Sequence, residues 1–259
     1  MLHSDKVTFG YKNFKIIRDI SLTIERSKIY AIIGPNGSGK STLLKNLARI
    51  LHPQSGVVSL DTIPFNKIPV NEFAKKIAIL SQIHNVPEDF TARDLISFGR
   101  YPHLGWFGRL AKEDDEIVDW AVHVMRIGYF QHRNITVLSG GERQRVWIAM
   151  ALAQKTAMLL LDEPTTFLDI AHQFEILELI RKLNKNFNLG IVMVLHDLNQ
   201  AARYAERIIV IKDGLLYREG TPDEIITEQT LGDVFRMRVR IVRDEMHHCP
   251  YFIPMESLD

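Results

Sequence analysis

Nine consecutive residues, Gly34, Pro35, Asn36, Gly37, Ser38, Gly39, Lys40, Ser41 and Thr42, contain the spacing Gly-x-x-x-x-Gly-Lys-Ser. Glycines let a backbone approach an anion closely and turn successive N–H groups toward it. A lysine closing such a loop sets a point charge on the β- and γ-phosphates of a nucleotide, and the hydroxyl after it can ligate Mg²⁺. The chemistry also needs a particular context. The wholly apolar run Ile29 to Ile33 predicts a strand buried on both faces before the loop, and helix signals follow from Ser41 to Leu51. A helix beginning near Gly39 adds the positive end of its dipole to the anion site.

A second group of reactive side chains lies more than a hundred residues on. Met158 to Leu161 predicts a buried strand that ends in two adjacent carboxylates, Asp162 and Glu163. Strand ends beside a phosphate loop are where open α/β sheets bind ligands. Asp162 is placed to hold Mg²⁺, directly or through water. Successive strand residues alternate in direction, so Glu163 is expected to face elsewhere, toward an attacking water as general base or orienter. A third group is Ser139, Gly140, Gly141 and Glu142, within Leu138 to Arg145. Ser139 can cap the helix that follows or donate to a phosphate, and the two glycine N–H groups form a second anion cradle. Two cradles on one chain suggest that each nucleotide is clamped between two copies.

These groups need a scaffold. Val7 to Tyr11 and Ile20 to Ile24 alternate like half-buried strands, and Val57 to Leu60 and Ile77 to Leu80 read as further strands. From Thr91 to about Gln131 helical patterns dominate, at Ala92 to Gly99 and Lys112 to Ile127, around a Gly- and aromatic-rich turn from Tyr101 to Gly108. A helix (Gly141 to Gln154), the Met158 strand, a helix (Ile170 to Asn186) and a strand (Ile191 to Leu195) follow. A further helix and hairpin-like strands around Asp213 and Gly214 finish the core. This alternation predicts an α/β fold with a mainly parallel sheet, an N-terminal antiparallel β subdomain and a helical subdomain. The expected divisions are a core of residues 1–90 and 156–230, a helical part of about 91–155 and a C-terminal tail of about 231–259, in which no motif is read.

The chain has 259 residues, enough for one large domain without a disulfide or structural metal. Lys and Arg number 32 against 31 for Asp and Glu, so the charge balance gives no support for a nucleic-acid partner. Cys249 is the single cysteine, which agrees with a reducing compartment. The longest apolar stretches fall far short of the roughly 20 residues that span a bilayer, and the N-terminus has no signal-peptide pattern, so a cytoplasmic location is expected. His84, His103, His132 and the group His247, His248 and Cys249 are read as surface or packing residues, since no further ligand stands at metal-binding spacing.

With the phosphate loop, the Asp162–Glu163 strand end and the Ser139 loop in this order, the chain resembles the nucleotide-binding subunits of ATP-binding-cassette (ABC) transporters, to about residue 230. The resemblance implies a phosphate-loop NTPase core and hydrolysis of ATP with Mg²⁺. It implies that Ser139, Gly140, Gly141, Glu142 and Asp169 reach the ATP held by the partner in a head-to-tail dimer. By the same resemblance, Tyr11 stacks on adenine and Gln82 reaches Mg²⁺ and the water and couples to the membrane subunits, while Asp169 runs across the dimer interface. His196 touches the γ-phosphate. Ser41, Gln82 and Asp162 are then the Mg²⁺ ligands.

Three stretches narrow the resemblance: Gly99 to His103, Glu163 to Gln173 and His196 to Ala202 are similar to importers of ferric siderophores, haem and vitamin B12, in wording most to the ferric-hydroxamate group. The implied partners are a second copy, integral membrane permease subunits and, indirectly, a substrate-binding lipoprotein or periplasmic protein, with this subunit on the cytoplasmic face of the membrane. The competing readings are a soluble cassette ATPase without a permease, of the iron–sulfur cluster assembly kind, and an importer of haem or vitamin B12. Cassette proteins associated with nucleic acid fit less well, because they carry two cassettes or a long coiled coil.

Overall fold

Strand β1 (Leu2–Tyr11) pairs antiparallel with both β2 (Phe14–Ile24) and β4 (Ser55–Leu60), and β4 turns onto the short β5 (Ile63–Pro64), giving the order β2-β1-β4-β5. Between β2 and β4 run β3 (Ile29–Ile33) and helix α1 (Lys40–Leu47). In the computed structural model, which describes residues 1–12, 14–82, 89–104 and 110–258, the chain divides by its contacts into two units. Residues 1–67 and 190–259 form one, and residues 68–189 form the other.

The second unit holds α2 (Val70–Ala74), β6 (Ile77–Leu80), α3 (Ala92–Phe98), α4 (Lys112–Val124), α5 (Gly140–Ala153), β7 (Met158–Asp162) and α6 (Ile170–Phe187). Strands β6 and β7 pair in parallel, from Ile77 opposite Met158 to Leu80 opposite Leu161. Helices α3, α4 and α5 pack on one another through buried residues such as Leu95, Val118 and Ile148. Charge adds to that packing: Arg100, 5 % exposed, donates from Nε to Asp114 Oδ1 at 2.8 Å and also reaches the carbonyl of Ala153. Thr91 starts α3 with a reciprocal cap, its side chain accepting from the Asp94 N–H and Asp94 accepting from the Thr91 N–H.

The first unit resumes with β8 (Gly190–Val194), α7 (Leu198–Tyr204), β9 (Arg207–Lys212), β10 (Leu215–Gly220), α8 (Pro222–Ile225), α9 (Glu228–Phe235), β11 (Met237–Asp244) and β12 (Cys249–Ser257). Its strands run in the order β10-β9-β3-β8, with β3 parallel to β8 and β9, and β9 antiparallel to β10. All five residues of β3 and all five of β8 are buried, as near-continuous apolar runs in a parallel sheet should be. Asp213 and Gly214 take φ of 49° and 75° in the turn from β9 to β10, the left-handed pair a tight hairpin needs.

The predicted elements are present with shifted ends. Helix α1 is shorter than the expected Ser41 to Leu51: Arg49, at φ 60°, breaks it before Pro53. Strands β1 and β2 extend well N-terminal of the predicted Val7 and Ile20 starts. The tail, in which no motif was read, contains α9 and the β11–β12 hairpin, paired from Met237 opposite Ser257 to Asp244 opposite Cys249. The turn predicted from Tyr101 to Gly108 begins as a 3₁₀ turn at Tyr101–His103; its residues 105–108, and His84, lie outside the described residues. No described helix is long and apolar enough to cross a membrane.

Candidate functional site

Strand β3 delivers the chain into the Gly34–Gly39 loop, and α1 carries Lys40, Ser41 and Thr42 away from it. Gly34 sits at φ 153°, where a Cβ would lie 2.0 Å from the Ile211 carbonyl oxygen. Gly39 adopts φ 102° at the helix start, and a Cβ there would meet Ile17 Cγ2 at 2.7 Å. Side chains are thus excluded from both ends of the loop, whereas nothing lies within 4 Å of the place a Gly37 Cβ would take. Lys40 is buried, and its ammonium donates to the Gly34 and Pro35 carbonyls, each at 2.9 Å. Its charge is therefore held over the loop by the loop's own backbone. Ser38 Oγ is buried and has no hydrogen-bond partner among the described residues.

Two other predicted residues belong to the same unit. Tyr11 ends β1, is 61 % exposed and has its ring set edge-on to Phe9. His196, exposed, lies in the three-residue link between β8 and α7, directly before the Asp197 cap.

The second unit gathers the carboxylates. Asp162 is the last residue of β7 and is 3 % exposed. Glu163 departs from the expected strand alternation: it follows the strand end at φ 55°, a left-handed turn position that redirects the chain. Its direction is set by this turn and by two donors to Glu163 Oε2, Gln82 Nε2 at 2.6 Å and Thr166 Oγ1 at 2.9 Å. Thr166 was not singled out from sequence; a hydroxyl three residues past the carboxylate in a Pro- and Thr-containing turn was the available signal. Gln82, Asp162, Glu163 and Gly140 line one cleft of about 400 Å³ together with Arg143 and Trp147.

Ser139 caps α5. Its Oγ accepts from the Glu142 N–H at 3.3 Å, and the Glu142 carboxylate accepts from the Ser139 N–H at 2.9 Å. That backbone donor, ahead of every other influence, holds the Glu142 carboxyl below its ordinary range. Asp169 caps α6 in the same way, accepting from the His172 N–H at 2.9 Å and from its ring Nδ1 at 2.8 Å, and its carboxyl is likewise lowered, first by the His172 backbone donor. The two caps are neighbours, since a Cβ on Gly141 would stand 2.6 Å from His172 Cδ2. A Cβ at position 141 would oblige the His172 ring to shift, a contact invisible at 31 residues of separation along the chain.

Of the remaining histidines, His103 Nε2 bonds the Gln154 carbonyl at 2.8 Å, and His247 Nδ1 bonds Asp244 at 2.7 Å. Among the described residues no group of three or more His, Cys, Asp or Glu could hold a metal ion.

A glycine loop at the C-terminal end of a parallel strand, a strand-end carboxylate pair and a serine-capped helix that opens on two glycines are the features of the mixed α/β class of phosphate-loop nucleotide hydrolases. The family model for ABC transporters matches residues 17–166, and the chain belongs to that family. It is 44 % identical over 254 residues to the petrobactin import ATP-binding protein FpuC of Bacillus anthracis, covering 98 % of this chain and 93 % of that one. It is 45 % identical over 249 residues to the iron(3+)-hydroxamate import ATP-binding protein FhuC of Bacillus subtilis, covering 96 % and 93 %. A solved ATP-binding cassette, in a dimeric post-hydrolysis state bound to ADP and Pi, superposes with a TM-score of 0.74 at 31 % identity over 85 % of this chain and 98 % of that one.

Proposed function

We propose that this chain is the ATP-hydrolysing subunit that energises ferric-siderophore import through a membrane permease, seated on the cytoplasmic face and working as a head-to-tail pair. The observation that carries the hydrolytic part is the Glu163 carboxylate, oriented by Gln82 and Thr166 one residue past buried Asp162. The siderophore part is supported by the import ATPases to which the chain is similar, for petrobactin and for iron(3+)-hydroxamate.

The residues fit the groups they would hold. A loop whose ends exclude any Cβ, with an inward-held ammonium and an orphaned buried hydroxyl at Ser38, suits phosphate oxygens. Ser41, Gln82 and Asp162 offer only oxygen donors of the hydroxyl, amide and carboxylate kinds, which are the donors Mg²⁺ takes. Mg²⁺ held by such donors would neutralise negative charge on the nucleotide.

The chain's own groups would do the rest. The N–H groups of the loop's glycines and of the first turn of α1 cradle the phosphates, and Lys40 exchanges its loop carbonyls for β- and γ-oxygens. Tyr11 offers a ring face to the adenine. Glu163 accepts the proton of the attacking water, a role worth about 10² to 10⁴ in rate. His196 meets the γ-phosphate. From the other copy come the Ser139 hydroxyl and the N–H groups of Gly140 and Gly141, with Glu142 fixing the helix start that presents them and Asp169 capping the neighbouring helix. Closure of the pair on two ATP molecules, and release after hydrolysis, drives the permease only through the difference in ATP affinity between open and closed states.

Uptake of labelled ferric hydroxamate, petrobactin, haem and vitamin B12 in cells with and without this chain tests the assignment. ATP-dependent loss confined to the ferric siderophores is expected. Unchanged siderophore uptake overturns the substrate class, and retention of this chain away from membranes in every fractionation overturns the permease.

A further inference from the structure

Strand β12 has β11 on one side, and its other edge faces α7. In a strand each residue sends its N–H and C=O to the same side, and successive residues alternate sides. Phe252 sends both groups to one side chain: its N–H donates to Asn199 Oδ1 at 2.9 Å, and Asn199 Nδ2 donates to its carbonyl at 3.3 Å. Residues 250 and 254 share that edge by alternation, and both are prolines without an N–H. Phe252 is thus the one of these three positions with a donor to satisfy, and a single primary amide stands in for a neighbouring strand.

The backbone of Asn199 is tied in turn. Its N–H donates to Asp197 Oδ1 at 2.8 Å, and the same oxygen accepts from the Gln200 N–H at 3.0 Å, which caps α7. His196 immediately precedes this cap. On its other side, the Leu195 N–H donates to the Ile32 carbonyl at 3.2 Å, fixing the end of the strand region. The backbone of His196 is therefore strung between the sheet and the first turn of α7, and the hairpin holds that turn.

We propose that the C-terminal hairpin braces His196, with Asn199 as the positioning residue. Its amide, clamped on Phe252, fixes the first turn of α7 and so the direction in which His196 meets the γ-phosphate. This rests on the reading of His196 given above.

Asn199→Ala removes the clamp and leaves the Asp197 cap. In the full chain, under conditions that support wild-type turnover, kcat is expected to fall about tenfold to a hundredfold, the scale of a small misplacement of a reacting group. KM and nucleotide affinity should stay unchanged, because the phosphate loop lies on other elements. Asn199→Asp keeps the acceptor for the Phe252 N–H and loses the donor, and should fall in between. Hydrogen exchange should speed up at Phe252 and residues 196–199 and not in α1. Normal turnover in His196→Ala overturns both this proposal and the reading beneath it. Lost turnover in His196→Ala with near-normal kcat in Asn199→Ala overturns the brace alone. Lost nucleotide affinity with faster exchange throughout the chain also overturns it, because the asparagine would then serve the fold in general.

Discussion

Glu163 is oriented by three independent features: a left-handed φ, the Gln82 amide and the Thr166 hydroxyl. Glu163→Gln keeps the size and planar shape of the side chain and removes its basicity, so nucleotide binding should persist while turnover falls by about 10² to 10⁴. Parallel measurements of nucleotide affinity and phosphate release check this, and near-normal release would sink the proton-acceptor role. Asp114 gives a stability test. Burial pushes its carboxyl up, but the Ala111 N–H and the Arg100 guanidinium outweigh burial and leave it below its ordinary value. Asp114→Asn leaves Arg100 buried without its counter-ion and should cost about 3 kcal/mol, read from a shifted denaturant midpoint. Because the folded pKa lies below the unfolded one, the carboxylate's contribution is complete above about pH 4 and is lost as pH falls through the folded value. On acidification past that point the wild type should lose more stability than Asp114→Asn, and equal losses would show that the pair contributes nothing.

The phosphate loop is legible as an element because its glycine spacing carries backbone geometry into sequence. Its glycines are not equivalent, however. Gly37→Ala meets open space and pays only for a left-handed φ, about 1 to 2 kcal/mol, whereas Gly34→Ala drives a Cβ into the Ile211 carbonyl and must move β9 or β3. Unfolding experiments should rank Gly34→Ala as the more damaging, with nucleotide affinity reduced in step; the reverse order would mean that the loop relocates freely. The β11–β12 hairpin shows the opposite case. Arg238, Val239, Arg240 and Ile241 do alternate, but Pro250 and Pro254 in the return strand argue against a strand by the usual rule. They are tolerated because they lie on the edge that Asn199 closes, a fact that no local pattern contains. The direction of Glu163 differs from strand alternation for a related reason: β7 stops at Asp162, one residue short of it.

Two loops are proposed as anion cradles, Gly34 to Thr42 and Ser139 to Gly141, each on a different unit. A shared site formed by two copies predicts that Glu163→Gln, expected to bind ATP without hydrolysing it, dimerises only when ATP is present. Ser139→Arg places a large cation at the second cradle. It should leave ATP affinity of the monomer intact while abolishing that dimer and turnover, as read by light scattering and phosphate release. A monomeric Glu163→Gln in saturating ATP would argue for a site complete in one chain.

Sequence by itself determined the chemistry of the groups. Glycine spacing, a lysine, a hydroxyl and strand-end carboxylates are local signatures, because each depends on residue type and on backbone conformation over fewer than ten positions. Tertiary structure decided what holds those groups in place: Gln82 and Thr166 on Glu163, His172 between Asp169 and Gly141, and Asn199 on Phe252. Most of these hydrogen bonds and contacts join residues many positions apart. They exist only once buried strands and helices have been packed, and packing is a property of the whole chain that no local pattern encodes.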